Sequence, residues 1–316
     1  MTTNSTTISD EIELTAFGYT LRVSTLGASL RGLWKLASTG VSEIIRSYSG
    51  TANKTGGQGD VLIPFPGRIR QGSYEFEGQR YQLECNDKDG PNAIHGFLRA
   101  MTWEIAQQSD AEIEFTVDLP QTAHSGYPFA LRTDVNYGLS PQGLTCRFTI
   151  TNMGDRLAPA AAGFHPYFMA DIGPIDDWWL ELPYSGVLEF VDLIPTGKIL
   201  PVESKELDFR AGRTISGAVF NSCFTHPERS EDGLTHIRLQ SANPSGVSID
   251  VWADRALEYV VVYSGDPLPE GIRRRSLAIE PMTCAADGFN HPEWGLISLA
   301  PGETTSGSWG VSATTL

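Results

Sequence analysis

Leu144-Thr145-Cys146-Arg147-Phe148-Thr149-Ile150-Thr151 alternates apolar and polar residues without a break. In an extended chain this period of two puts Leu144, Cys146, Phe148 and Ile150 on one face, with Arg147 and the threonines on the other, the pattern of a half-buried strand. The same reading recurs outward along the chain. Residues 112–118 place Ile113, Phe115 and Val117 on one face. Residues 258–263 are β-branched and aromatic with no helical stripe, and Ser306 to Val311 reads as a last strand. Turn signals separate the runs: Asp89-Gly90-Pro91, Pro141-Gln142-Gly143, Asn152-Met153-Gly154-Asp155, Asn243-Pro244-Ser245-Gly246 and Pro301-Gly302. No amphipathic helix is sustained anywhere, and short helical turns are expected only near 203–209 and 291–294. Short strands punctuated by Gly and Pro predict an all-β fold, a sandwich or a barrel.

Length and charge narrow the rest. At 316 residues without a composition shift or a long polar linker, the chain reads as a single domain spanning 1–316, with residues 1–9 disordered. Residues 47–59, rich in Ser, Thr and Gly, read as the most flexible interior piece. The net charge of −15 opposes nucleic acid and anionic membrane surfaces, because phosphate binding needs a basic footprint. No apolar run approaches the ~20 residues that span a bilayer. The polar N-terminus lacks the basic and apolar regions of an export signal, so a cytoplasmic location is expected. Cys85, Cys146, Cys223 and Cys284 are scattered with no C-x-x-C pair, which reads as free thiols rather than structural zinc.

Three short segments carry the chemistry. Gly163-Phe164-His165-Pro166-Tyr167-Phe168 sets a histidine between aromatics and before a proline; Asn92-Ala93-Ile94-His95-Gly96 sets another before a glycine; Leu277-Ala278-Ile279-Glu280-Pro281 places a glutamate in an apolar strand. Histidine exchanges protons near neutral pH, and a buried, unpaired glutamate has its pKa raised toward the same range. Each residue also has a purely structural reading. His165 fits a core histidine bonded to backbone, His95 a turn-stabilising one, and Glu280 a buried carboxylate held by Arg274, which shares its face on a regular strand. Two histidines and a glutamate can also form a facial metal site, but no H-x-H, H-x-x-x-H or E-x-x-H spacing ties them together. No G-x-S-x-G elbow or glycine-rich phosphate loop is present.

Taken in order, these segments resemble the aldose 1-epimerase (galactose mutarotase) family. The resemblance extends to Pro66-Gly67-Arg68-Ile69-Arg70-Gln71-Gly72-Ser73-Tyr74-Glu75-Phe76-Glu77-Gly78, to Gly126-Tyr127-Pro128-Phe129, to Pro195-Thr196-Gly197, and to Glu280-Pro281-Met282-Thr283 followed by Asp287-Gly288-Phe289-Asn290. It covers about residues 60 to 290. It implies a large antiparallel β-sandwich and an enzyme that opens and recloses the hemiacetal ring of a free sugar. By resemblance Glu280 is the base at the C1 hydroxyl, His165 the acid at the ring oxygen, His95 a second donor, and Arg68 a sugar-binding residue. No metal or other cofactor is implied, and the expected partner is a small sugar, with the protein a monomer or homodimer.

One departure stands out: galactose-active members usually carry aspartate where Asn221 stands, so Asn221 is expected to bind substrate but to read a different hydroxyl pattern. A hexose-6-phosphate epimerase is the close alternative, with Arg70, Arg99 and Arg273 to Arg275 as candidate phosphate ligands. A non-catalytic sugar-binding protein, using Trp103, Tyr127, Trp178, Trp179 or Trp252 as stacking platforms, is the other.

Overall fold

Alternating segments need partners for their backbone groups and cover for their apolar faces. In the computed structural model, which describes residues 10–37 and 40–316, two large antiparallel sheets supply both. The expectation for residues 1–9 lies outside the described residues. Among the described residues one sheet has ten strands, in spatial order Glu11–Ala16, Tyr19–Ser24, Leu30–Ala37, Gly40–Ile45, Tyr167–Phe168, Leu277–Met282, Tyr259–Tyr263, Asn221–Pro227, Tyr184–Val191 and Ile194–Pro201. The other has nine: Arg213–Thr214, Trp179–Glu181, Thr235–Gln240, Val247–Ala253, Thr304–Thr315, Gly143–Asn152, Leu131–Ser140, Glu112–Leu119 and Glu104–Gln108. The strands expected from alternation are therefore present, the last one longer than its sequence signal. The two expected helical turns are single 3₁₀ turns at Val202–Lys205 and Pro292–Trp294.

The apolar faces meet in one core. Leu144, Cys146, Phe148 and Ile150 are buried, and Phe148 and Ile150 join Leu33, Ile45, Phe168, Leu277, Ile279, Val260 and Val262 of the ten-stranded sheet in a shared cluster. Phe164 bridges the layers, its ring 5.7 Å from both Phe148 and Trp309. Each such side chain contributes roughly 1.5–3 kcal/mol on full burial. The Tyr137 hydroxyl is satisfied across the gap, donating to the Ala28 carbonyl at 2.8 Å.

Leu277–Met282 is the informative strand, because every residue in it is buried. Its odd-numbered positions Leu277 and Ile279 face the core, so Ala278, Glu280 and Met282 face away from it. Something must cover that second face. Residues 61–100 do, as an arm built of two small ribbons, Arg68–Ile69 with Ala93–Ile94 and Ser73–Phe76 with Gln79–Gln82. Aromatic packing props the arm: Phe65 meets Phe97 and Phe289 at 5.6 and 5.5 Å, and Tyr74 meets Phe289 at 5.0 Å. The segment 51–60 closes over the same face. The space between sheet and cover holds the three chemical segments.

The aromatic residues considered as sugar platforms are mostly interior. Trp103, Trp178 and Tyr127 are buried, and Trp178 donates its indole N–H to Asp171 at 3.2 Å. Their large rings fill the core rather than face solvent.

Candidate active site

Strand register brings the acid–base pair together. Tyr167 pairs with Ala278, and Gly163 forms a bridge with Met282. Between those two pairings an antiparallel ladder sets His165 opposite Glu280. The amide of Phe164 donates to the Pro281 carbonyl at 3.1 Å, and the amide of Ile279 to the Pro166 carbonyl at 3.3 Å, so the ladder is continuous there. Alternation then sends Phe164 into the core and His165 out of it. His165 Nε2 stands 3.3 Å from Glu280 Oε1, with both side chains more than nine-tenths buried.

The rest of the floor follows from the same register. Tyr167, Ala278, Tyr263 and Asn221 form one transverse row, and Glu280, Val261 and Cys223 the next. Tyr263 and Val261 are partly exposed and Asn221 is exposed, so the floor opens to solvent beside the buried pair. Arg274 does not reach this face. It pairs with Asp176 at 2.8 Å and Asp266 at 3.0 Å. The reading of Glu280 as a carboxylate held by Arg274 therefore falls away.

The arm delivers the remaining two residues. Pairing of Arg68 with Ile94 sets Arg68 next to His95. His95 adopts a left-handed φ of 64° and Gly96 one of 63°; a side chain on Gly96 would run into the Ile63 carbonyl, with that carbon only 2.5 Å from the added atom. The glycine is thus required by close backbone approach. The amide of Gly67 donates to His95 Nδ1 at 3.2 Å. That assigns the remaining proton of a neutral His95 to Nε2, leaving it a donor. The His95 and His165 rings meet edge to face, 5.6 Å apart.

Sequence reasoning missed the residues that aim Arg68. Its Nε donates to Asp87 at 2.7 Å, and Asp89 lies 3.7 Å from its Nη2. Asp87 is nearly buried and is itself held by the Asn92 side-chain amide at 3.3 Å and the Asp89 amide at 3.1 Å. The signal was present in the turn Asn86-Asp87-Lys88-Asp89-Gly90, which reads first as turn chemistry. The Asp287-Gly288-Phe289-Asn290 segment also proves to be bracing. Asp287 donates its amide to the Arg68 carbonyl at 2.6 Å, and its carboxylate accepts from the Arg70 amide and from Asn290, at 2.9 and 2.8 Å.

Burial sets the protonation of the pair. Burial drives Glu280 up to about 8, and only the charge of Arg68 pulls it back. Burial drives His165 well below its ordinary value; a backbone hydrogen bond opposes it, and the nearby charges of Lys54 and Arg99 add to the lowering. His95 is lowered too, by burial first and then by His165, Arg99, Arg68 and Lys54. At neutral pH the resting pair therefore carries one proton on Glu280 beside a neutral imidazole, and moving that proton across the 3.3 Å contact makes the carboxylate and imidazolium that acid–base chemistry needs. Among the described residues no group of three His, Cys, Asp or Glu side chains is placed to hold a metal ion, and no helix is long and apolar enough to cross a membrane.

The chain belongs to the aldose 1-epimerase family, whose model matches residues 10–312. It is 31% identical to the uncharacterized protein YihR of Escherichia coli K12 over 281 residues, covering 88% of this chain and 85% of that protein. It is 26% identical to the galactose mutarotase of Sus scrofa, covering 78% and 75% of the two chains. In fold it superposes on the GalM/aldose epimerase homologue from C. elegans with a TM-score of 0.87, covering 98% of this chain and 100% of that one at 20% identity.

Proposed function

We propose that this protein is an aldose 1-epimerase that interconverts the α and β anomers of a free hexose. The observation that carries the reading is the 3.3 Å contact between His165 Nε2 and Glu280 Oε1 in a buried site that opens beside it. The Glu280 carboxylate takes the C1 hydroxyl proton as the C1–O5 bond breaks, and the bond's electron pair goes to O5, which His165 protonates. The open-chain aldehyde rotates about C1–C2. O5 then attacks the other face of C1, His165 recovers its proton and Glu280 returns the other to O1. Protons and electrons balance with no external reagent. Arg68 supports the carboxylate form of Glu280 by its charge, His95 Nε2–H is a donor for a sugar oxygen, and Asn221 offers an amide to a hydroxyl on the open side.

A hexose 6-phosphate is the competing substrate. Of its candidate ligands, Arg274 is committed to two carboxylates, while Arg273 and Arg275 donate to the carbonyls of Leu268 and Ile172. Arg99 lies beside the histidines but is shared with the buried Asp60. Arg70 is more exposed, donating to the Pro195 carbonyl at 3.2 Å; the partnering of the other four arginines favours the free sugar. Exchange NMR on a panel of hexoses, pentoses and hexose phosphates tests the assignment. Catalysed exchange of a free hexose is expected, and turnover of the phosphate ester alone would overturn it. A sugar-binding protein without catalysis would bind but show no exchange above the spontaneous rate.

A further inference from the structure

Residues 47–59 read as flexible in sequence, yet in the fold the segment 51–60 is tied down across the acid–base pair. Gly59 donates its amide to the His165 carbonyl at 2.9 Å, and His165 donates to the Asp60 carbonyl at 3.1 Å. Leu30 donates to the Gly59 carbonyl at 2.9 Å and Gln58 Nε2 to the Arg46 carbonyl at 2.8 Å. The buried carboxylate of Asp60 pairs with Lys54 and, at 3.3 Å, with Arg99. These ties fix the loop on both sides of Gly57.

Gly57 is the point where this loop touches His165. A Cβ built on it would stand 2.9 Å from His165 Nε2, 3.2 Å from Cγ, and closer still to Cδ2. The obstacle is the imidazole and not the glycine's own conformation, since Gly57 lies outside the left-handed region. The ring cannot simply turn aside either. Tyr167 stacks on it at 5.1 Å with planes 9° apart, and His95 abuts it at 5.6 Å. The neighbouring Gly56 lies against the same stack, its added Cβ 3.4 Å from the Tyr167 hydroxyl.

We propose that Gly57 is a positioning residue for His165: its bare backbone and the Tyr167 ring hold the imidazole where Nε2 meets Glu280. This rests on the reading of His165 as the acid at the ring oxygen. Any side chain at 57 must push the ring out of line. Since an error of about 1 Å in placing a catalytic group costs on the order of 10²-fold, Gly57→Ala is expected to lower kcat roughly 10- to 100-fold, leaving KM near its wild-type value while Tm falls because the added methyl overpacks a buried contact. The ¹⁵N resonances of the His165 ring should move in the same variant. Gly271→Ala is the comparison, because a Cβ there meets nothing and its φ is also outside the left-handed region; it should match wild type in every readout.

Gln58→Ala is the second variant, keeping the glycine but cutting the tie to the Arg46 carbonyl. It should cost about threefold in kcat by loosening the ring's support. A wild-type kcat in both variants overturns the inference, as does a lowered Tm in Gly57→Ala with kcat per folded molecule unchanged. Should the wild type show no exchange on any aldose, the functional reading fails by itself. The His165 resonances then decide the positioning claim: moved by Gly57→Ala they uphold it, unmoved they overturn it.

Discussion

Two histidine–carboxylate clusters in this molecule use the same parts to opposite effect. On the ten-stranded sheet, His165 meets Glu280 at 3.3 Å with the side chains 8% and 5% exposed. On the nine-stranded sheet, His236 lies between Asp250 at 2.8 Å and Asp232 at 3.0 Å, with the three side chains 16%, 31% and 51% exposed. Burial pulls His236 down as well, but hydrogen bonds and charge from Asp232 and then Asp250 outweigh it, and its pKa rises. At His165 only a backbone hydrogen bond opposes burial, no carboxylate charge does, and desolvation wins. One cluster is a solvated ion pair between neighbouring strands. The other is a buried pair whose carboxyl is pushed up and imidazole pushed down, the kind of perturbed pair that the proposed chemistry calls for.

The largest effect should separate the clusters by catalysis. Glu280→Gln should lose catalysed anomer exchange by about 10²- to 10⁴-fold, with sugar affinity near wild type by titration, whereas Asp250→Asn should leave exchange untouched. Near-full activity in Glu280→Gln would remove the distinction drawn here. Next in size is Asp87→Ala, which frees Arg68 from its 2.7 Å tie. It should raise KM roughly tenfold, the scale of one lost charge-assisted contact of about 1.5 kcal/mol, with a smaller loss in kcat. An unchanged KM would mean that Arg68 does not need Asp87 to hold its aim.

Stability against pH sharpens the contrast further. Glu280 has a folded pKa near 8 against an ordinary 4.5, so between those values the folded state holds more proton than the unfolded one. Stability must fall as pH rises through that window, and Glu280→Gln should remove the fall. Thermal melts should show the variant gaining a few degrees over wild type at pH 8 to 9, about 1–2 kcal/mol, and little at pH 5. A constant difference across pH would contradict the burial argument. The smallest effect belongs to His236. Its raised pKa contributes stability that is fully present below its ordinary value of 6.5 and lost as pH rises through the folded pKa. Screening by solvent keeps it slight. His236→Gln should lower Tm by only about a degree at pH 6, with the deficit gone at pH 9.

Much of this was legible in the residues. Alternation at 112–118, 144–151 and 258–263 named strands that exist, because a two-residue period has one physical meaning when one face must be buried. His95, His165 and Glu280 could be singled out by type and neighbours, and the fold sets His165 against both of the others. Arg68, brought in by the resemblance, lies near enough for its charge to act on Glu280, while Asp87, which bonds to it, hid inside a turn motif. Asn221 stands on the open side of the same floor, two residues from Cys223 in the row of Glu280. The stacking role considered for Trp103, Trp178 and Tyr127 gave way to core packing, since an aromatic ring looks the same in sequence whether it faces solvent or the interior.

The sequence by itself determined the class of fold and the inventory of proton-carrying groups, for these depend on local period and side-chain chemistry. Only the tertiary structure decided their partners. Pairings between Tyr167 and Ala278 and between Gly163 and Met282 set His165 opposite Glu280, and a slip of one residue would turn Glu280 into the core. It also decided that Arg274 belongs to Asp176 and Asp266, and that Gly57 lies where a side chain would meet the His165 ring. Most of those outcomes depend on segments about a hundred residues apart arriving at one place, and no local pattern encodes such a meeting.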